Sequence, residues 1–344
     1  MIPTSAGNAE TGVVTEPLLR VTGLTRHFNV GGILSRQTLH AVDDYSFTIG
    51  EGEIVAVVGE SGSGKSTIAR LLARVYPVTD GTIEYRGRRV EKLRSRRSLA
   101  WYRREVTMVF QDPFSAFHPV HKISHGVMRN LKLHRPELSA TERRLEAERV
   151  FKAVGLPPRM LDRYPYEMSG GERQRVGFAQ ALAVRPKLIL ADEPVSMLDV
   201  SVRAGVLNMM VSLRDEEGVS ILYITHDLAS ARYVADRIIV MYAGHQVEEG
   251  AADDVLAEPK HPYTQLLLAA AADPLDTEFA APTDSGEPPR VINPSEGCRF
   301  RNRCPIAVEM CSQVTPRLTA LGSVKVACHV ANGDAAPAAA ARTA

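Results

Sequence analysis

The stretch "GESGSGKST" at Gly59–Thr67 sets Gly59, Gly62 and Gly64 among Ser61, Ser63, Lys65, Ser66 and Thr67. It fits G-x-x-x-x-G-K-[ST] at Gly59, Gly64, Lys65 and Ser66. Glycines at this spacing let successive backbone N–H groups turn inward as an anion nest, and a helix opening at the lysine adds its positive end. Phosphate oxygens fit there, with the Lys65 ammonium on the β- and γ-phosphates and the Ser66 hydroxyl on Mg²⁺. A Gly/Ser-rich turn with an incidental lysine is the bland alternative; the apolar run "IVAVV" directly before the loop argues against it.

A second group supplies acid. "LILADE" at Leu188–Glu193 reads as a buried strand ending in two carboxylates, and ligands gather at the carboxyl ends of parallel strands. Asp192 would hold Mg²⁺, directly or through water, and Glu193 would polarise an attacking water. An acidic pair at a strand end often only caps the next turn. Joined to the phosphate loop, it points to nucleotide hydrolysis.

The third group is sulfur. All four cysteines fall within Cys298–Cys328, spaced C-x5-C-x6-C-x16-C through Cys304 and Cys311. Structural zinc usually shows a C-x2–4-C pair, which is missing, and disulfides are rare in a reducing compartment. Four thiolates suit an iron–sulfur cluster, with zinc and free thiols as the alternatives.

The elements that must position these groups follow from patterning. Leu18–Phe28 and His40–Ile49 read as strands separated by a break at Gly31 and Gly32, and Ile54–Val58 as a strand buried on both faces. Ser139 and Glu142 have capping-box spacing ahead of an apolar stripe, so Ala140–Val154 reads as a helix stopped at Gly155. Further helices are predicted from Glu172 to Val184 and from Val202 to Glu217, with strands at 188–191, 221–225 and 237–242. Strands alternating with helices indicate an α/β fold on a parallel sheet.

Several motifs together resemble the ABC-type ATPases. "YEMSGGERQRVGFAQAL" at Tyr166–Leu182 looks like their signature motif, and "VFQDP" with Gln111, "SMLD" at Ser196–Asp199 and "YITHD" with His226 occur in the family order. The resemblance spans roughly Leu18 to Pro274. It implies a P-loop nucleotide-binding domain of parallel core sheet, antiparallel β subdomain and helical subdomain, with two such domains pairing head to tail. Ser169, Gly170 and Gly171 of one would then face the γ-phosphate held by the partner's Lys65. It further implies Asp199 at the dimer interface, His226 on the γ-phosphate, Gln111 as a Mg²⁺ ligand and reporter, and Phe28 stacked on adenine. Taken alone, His226 would read as a structural histidine. Met168 and Glu172 depart from the family's leucine and glutamine; both keep size, and a glutamate suits a helix start.

"HPYTQLLLAA" at His261–Ala270, with "NPSEGCRFRNRCPIAVEMC" and "VACH", resembles the C-terminal extension of ATP-binding subunits of oligopeptide and dipeptide importers, some of which carry a 4Fe–4S cluster there. Implied partners are two multi-span permease subunits, met around Gln111–Val127, a sister ATPase or second copy, and an extracytoplasmic substrate-binding protein reached through the permease. Related importers take oligosaccharides or nickel, which leaves the cargo open. Soluble relatives in translation or DNA repair carry two cassettes or a long coiled coil, features this sequence lacks.

Composition agrees with a folded ATPase. The 344 residues are 44% hydrophobic with a net charge of +1, which excludes a disordered chain and gives no global pull toward nucleic acid. The arginine run from Arg86 to Arg104 reads as a solvated face, since no aromatic stacking platform accompanies it. The longest apolar stretch, Leu266–Ala272, is far short of the roughly 18 residues needed to span a bilayer. With no secretory leader pattern, the expected place is the cytoplasmic face of a membrane, peripherally bound. The expected division is a tail over 1–16, the ATPase domain over 17–273, a linker over 274–293, a Cys-rich extension over 294–330 and a second tail over 331–344.

Overall fold

A computed structural model describes residues 16–31, 37–112, 117–272 and 291–335. Most of the two expected tails, the linker as far as residue 290, and residues 113–116 of the expected permease-facing segment lie outside the described residues.

The chain opens with β1 (Leu19–Asn29) and β2 (Thr38–Ile49), then β3 (Ile54–Val58) and α1 (Lys65–Leu72) around the phosphate loop. β4 (Asp80–Tyr85), β5 (Arg88–Arg89), α2 (Arg96–Glu105) and β6 (Val106–Val109) follow. A helical stretch holds α3 (Ile123–His134), α4 (Ala140–Ala153) and α5 (Gly170–Leu182). The chain then alternates through β7 (Leu188–Asp192), α6 (Val200–Glu217), β8 (Ser220–Thr225), α7 (Leu228–Val234) and β9 (Arg237–Tyr242). It ends with β10 (His245–Ala251), α8 (Ala252–Ala257), α9 (Pro262–Ala272), α10 (Met310–Gln313), β11 (Thr319–Leu321) and β12 (Val324–Val326).

Among the described residues the strands form two sheets, one in the order β2-β1-β4-β5 and one in the order β11-β12-β10-β9-β3-β8-β7-β6. In the larger sheet β9, β3, β8, β7 and β6 run parallel, and β10, β12 and β11 add an antiparallel edge. β3 is buried at every position because it serves two cores: Ile54, Ala56 and Val58 face the helical side with Phe151 and Phe178, while Val55 and Val57 face α1 and the smaller sheet with Leu24 and Tyr85. Burying each such side chain stabilises the fold by about 1.5–3 kcal/mol, which explains an uninterrupted apolar run in place of alternation.

Helix limits follow capping chemistry. Ser139 and Glu142 form a reciprocal capping box on α4, and Gly155 takes a φ of +72° just past its end. α5 begins at Gly170, two residues before the predicted Glu172, because Ser169 and Glu172 form a second capping box. α6 likewise begins at Val200, ahead of the predicted Val202, and ends at Gly218 with φ +63°. Residues 291–293, placed in the expected linker, are bonded to β2: the His40 N–H donates to Val291 O and the Asn293 N–H to Thr38 O. The Cys-bearing stretch therefore packs back on the first strands, and its strands β11 and β12 continue the larger sheet.

Candidate active site

The crest of the larger sheet gathers the predicted residues. β3, β8, β7 and β6 lie side by side in parallel, and their carboxyl ends lead into Gly59, His226, Asp192 with Glu193, and Gln111 respectively. The phosphate loop requires glycine at two places. A Cβ on Gly64, whose φ is +107°, would meet Ala41 O at 2.1 Å, and one on Gly59 would meet Met241 O at 2.1 Å. Lys65 is buried, and its ammonium donates to Gly59 O (2.7 Å) and Glu60 O (2.8 Å). Burial lowers its pKa, with Glu193, Asp192 and Glu60 opposing the shift.

Beside the loop the Ser66 hydroxyl donates to Asp192 Oδ1 at 2.7 Å. Asp192 is 3% exposed, and burial raises its pKa against that hydrogen bond. The buried Ser63 hydroxyl makes no hydrogen bond among the described residues. Hydroxyl and carboxylate oxygens are the donors magnesium takes, and an unpaired buried hydroxyl within the nest leaves a polar group for a phosphate, so the residues present fit Mg²⁺ with a nucleotide.

Glu193 stands at the centre of a short arc. Its Oε2 accepts from Gln111 Nε2 at 2.9 Å and lies 3.5 Å from His226 Nδ1. Its backbone has φ +46°, a conformation that costs a non-glycine residue of order 1–3 kcal/mol, held here by a hydrogen bond from its N–H to Ile224 O. The carboxylate is 13% exposed and His226 54%, so the acid is sheltered while the imidazole faces outward. This arrangement can hold a water molecule and take its proton.

The "SGGE" stretch sits apart from this arc. The Ser169 N–H and hydroxyl both donate to Glu172 Oε2, at 2.8 and 3.0 Å, and a Cβ on Gly171 would come 2.3 Å from Val202 Cγ1, which fixes the start of α5 against α6. Asp199, just before α6, is exposed and makes no side-chain cap bond, with Met197 and Val200 exposed beside it. Among the described residues no hydrogen bond or ion pair joins Ser169–Gly171 to Lys65, whose partners are Gly59 and Glu60.

Residues 42–196 match the family described as ABC transporter, and residues 247–311 match the one described as oligopeptide/dipeptide transporter, C-terminal region. A Sinorhizobium fredii protein named a probable peptide ABC transporter ATP-binding protein is 43% identical over 95% of this chain and 93% of its own length. The chain belongs to the ABC transporter ATP-binding family. The oligopeptide transport ATP-binding protein OppF of Haemophilus influenzae is 41% identical over 82% of this chain and 86% of its own. Among solved structures, an ATP-binding cassette captured as a dimer in a post-hydrolysis state with ADP and phosphate matches with a TM-score of 0.61 and 28% identity, over 68% of this chain and 98% of that one.

Within the ABC fold, Phe28 has the Arg26 guanidinium 4.3 Å from its ring centroid and Tyr76 packed edge-on at 5.4 Å. Tyr76 was not legible as part of this corner, since it lies 48 residues further along the chain. The four cysteines line one cavity with Ile306 and Pro316. Among the described residues no three of their thiols lie within 4.8 Å of one another, whereas four thiolates on one zinc would sit about 3.8 Å apart. Burial pushes the Cys298 and Cys304 thiols up to about 11, so a bound group would have to displace their protons. Four cysteine sulfurs lining one cavity are the donor set that an iron–sulfur cluster takes.

Sequence reasoning missed two residues that touch Glu60 of the phosphate loop: Tyr263, whose hydroxyl accepts from the Glu60 N–H at 2.8 Å, and Arg303. Each is a common residue type whose role depends on contacts across more than 200 positions, and no local pattern marks it.

Proposed function

We propose that this chain is the ATP-hydrolysing subunit of an ABC importer for oligopeptides or dipeptides. The observation that carries the reading is the Gln111–Glu193–His226 arc beside Lys65, in a chain whose later residues match the oligopeptide/dipeptide transporter region. Ser66, Asp192 and Gln111 would hold Mg²⁺, which when bound neutralises charge on the phosphate oxygens. The amides of Ser61, Gly62, Ser63, Gly64 and Thr67 cradle the phosphates, Lys65 turns from its carbonyl partners to the γ-phosphate, and Phe28 meets the adenine. Glu193 takes a proton from water as the water oxygen bonds to the γ-phosphorus; the bond to the β-bridging oxygen breaks, leaving ADP and phosphate. His226 and Gln111 orient the water and the carboxylate.

The signature residues Ser169, Gly170 and Gly171 complete the site of an opposing ATPase chain, a second copy or a sister subunit, with Asp199 between them. ATP thus bridges two half-sites, and its loss opens them. A cavity of about 600 Å³, bounded by Phe110, Asn130, His134, Gln174 and Gln180 and adjoining Gln111, supports docking of permease segments beside the catalytic arc. The complex would hold two multi-span permeases on the cytoplasmic face of a membrane, fed by an extracytoplasmic binding protein. No helix among the described residues is long and apolar enough to cross a membrane. Residues 17–273 form the ATPase unit and 294–330 a Cys-rich extension in which Cys298, Cys304, Cys311 and Cys328 hold a 4Fe–4S cluster.

A strain lacking this gene tests the reading. Uptake of labelled di- to pentapeptides should be lost, return with the wild-type chain, and stay absent with Glu193→Gln although that variant still binds ATP. Unimpaired peptide uptake in the deletion strain would overturn the cargo assignment.

A further inference from the structure

The phosphate loop carries an acid of its own. Glu60, directly after Gly59, places a carboxylate beside the nest that must receive a polyanion, a position that on charge alone opposes nucleotide binding. The structure supplies its counterion from the far end of the chain: Arg303 Nη1 donates to Glu60 Oε2 at 2.8 Å and Nη2 to Oε1 at 2.9 Å, a fork-on-fork pair. The two side chains are 17% and 24% exposed, so the pair is partly shielded from solvent. Arg303 is fixed in turn by an aromatic platform, with Tyr242 and Phe300 centroids 5.7 and 5.9 Å from its guanidinium carbon. Tyr242 and Phe300 pack edge to face at 5.1 Å, and Tyr263, whose hydroxyl holds the Glu60 N–H, packs on both.

We propose that Arg303 is a positioning residue for the nucleotide site: by neutralising and clamping Glu60 it lets the phosphate loop accept a triphosphate, which makes the Cys-bearing segment part of the ATP-binding machinery. This rests on the ATPase reading above. The loop backbone is the point of action, because the Glu60 carbonyl is also a resting partner of the Lys65 ammonium. When Lys65 swings to the phosphates, Glu60 is held from outside by Arg303 and Tyr263.

Equilibrium binding of a fluorescent ATP analogue, with kcat and KM for phosphate release, tests this in the full-length chain below each variant's melting temperature. Arg303→Gln should raise Kd and KM about tenfold and leave kcat within about twofold, since Glu193 and its arc are untouched. Adding Glu60→Gln to Arg303→Gln should recover most of the affinity, because the uncompensated charge is gone. Arg303→Lys, which keeps the charge, should bind within about threefold of wild type and serves if Arg303→Gln does not fold. Unchanged affinity in Arg303→Gln, or no recovery in the double variant, would overturn the proposal. A wild-type chain that fails to bind ATP would instead overturn the ATPase reading.

Discussion

Gly64 has no room for a methyl group, and Gly62 does. At Gly64 an added Cβ would collide with Ala41 O at 2.1 Å in a left-handed backbone, whereas at Gly62, with φ +78°, nothing lies within 4 Å. Both positions strain an L-residue by about 1–3 kcal/mol, but only the first must also push the loop off the first strands. Gly64→Ala should therefore abolish ATP binding, and Gly62→Ala should weaken it by about tenfold or less, as read by titration with a fluorescent nucleotide. Equal losses in the two variants would mean that loop strain alone, without the Ala41 contact, sets the nest. The loop and the acids were legible in the sequence because each group is nearly contiguous, so one local pattern carries the whole constellation.

At the scale of elements, β10, which lies between β12 and β9, marks where legibility ended. "HQVEEGA" reads as polar, yet Glu248 and Glu249 are 0% and 2% exposed. The buried acids are satisfied by partners that no local window contains: Glu248 accepts from the Lys260 and His261 N–H groups, and Glu249 from Gln246 and Arg237. β11 and β12 are three residues each and were invisible for lack of length. The same strand predicts a pH response. His245 Nε2 lies 3.9 Å from Asp43 Oδ2, and burial, reinforced by the Arg299 charge and opposed by Asp43, holds its pKa down at about 4. Burial would raise Asp43, but hydrogen bonds from His27, Arg299 and His40 outweigh it and keep its pKa at about 2, so it stays ionised through this range. As pH falls from 6.5 toward 4 the unfolded chain protonates this imidazole while the folded chain does not, so stability drops in that window. Melting temperature should fall between pH 7 and pH 4.5, less steeply in His245→Gln; an unchanged slope in the variant would contradict this role.

On the proposed reading the chain carries two half-sites, and among the described residues no hydrogen bond or ion pair joins them. One is Lys65 with the Gln111–Glu193–His226 arc, and the other is the exposed Ser169 start of α5 with Asp199, Met197 at 62% and Val200 at 80% exposure. Exposed apolar side chains beside a carboxylate that makes no hydrogen bond or ion pair among the described residues form a surface suited to a partner. The ATPase fold and the motifs of the two proposed half-sites were legible because capping and phosphate-binding motifs are local. The return of the C-terminal segment onto β2 and the phosphate loop was not, since those contacts span more than 200 residues.

The most direct test places a photo-crosslinking residue at Met197 in a Glu193→Gln chain purified with its native membrane partners. With ATP and Mg²⁺ the crosslink should form to the phosphate loop of an opposing ATPase chain, identified by mass spectrometry, and it should vanish without nucleotide. A preparation in which the wild-type chain hydrolyses ATP, yet no nucleotide-dependent crosslink to a phosphate loop appears, would contradict the account.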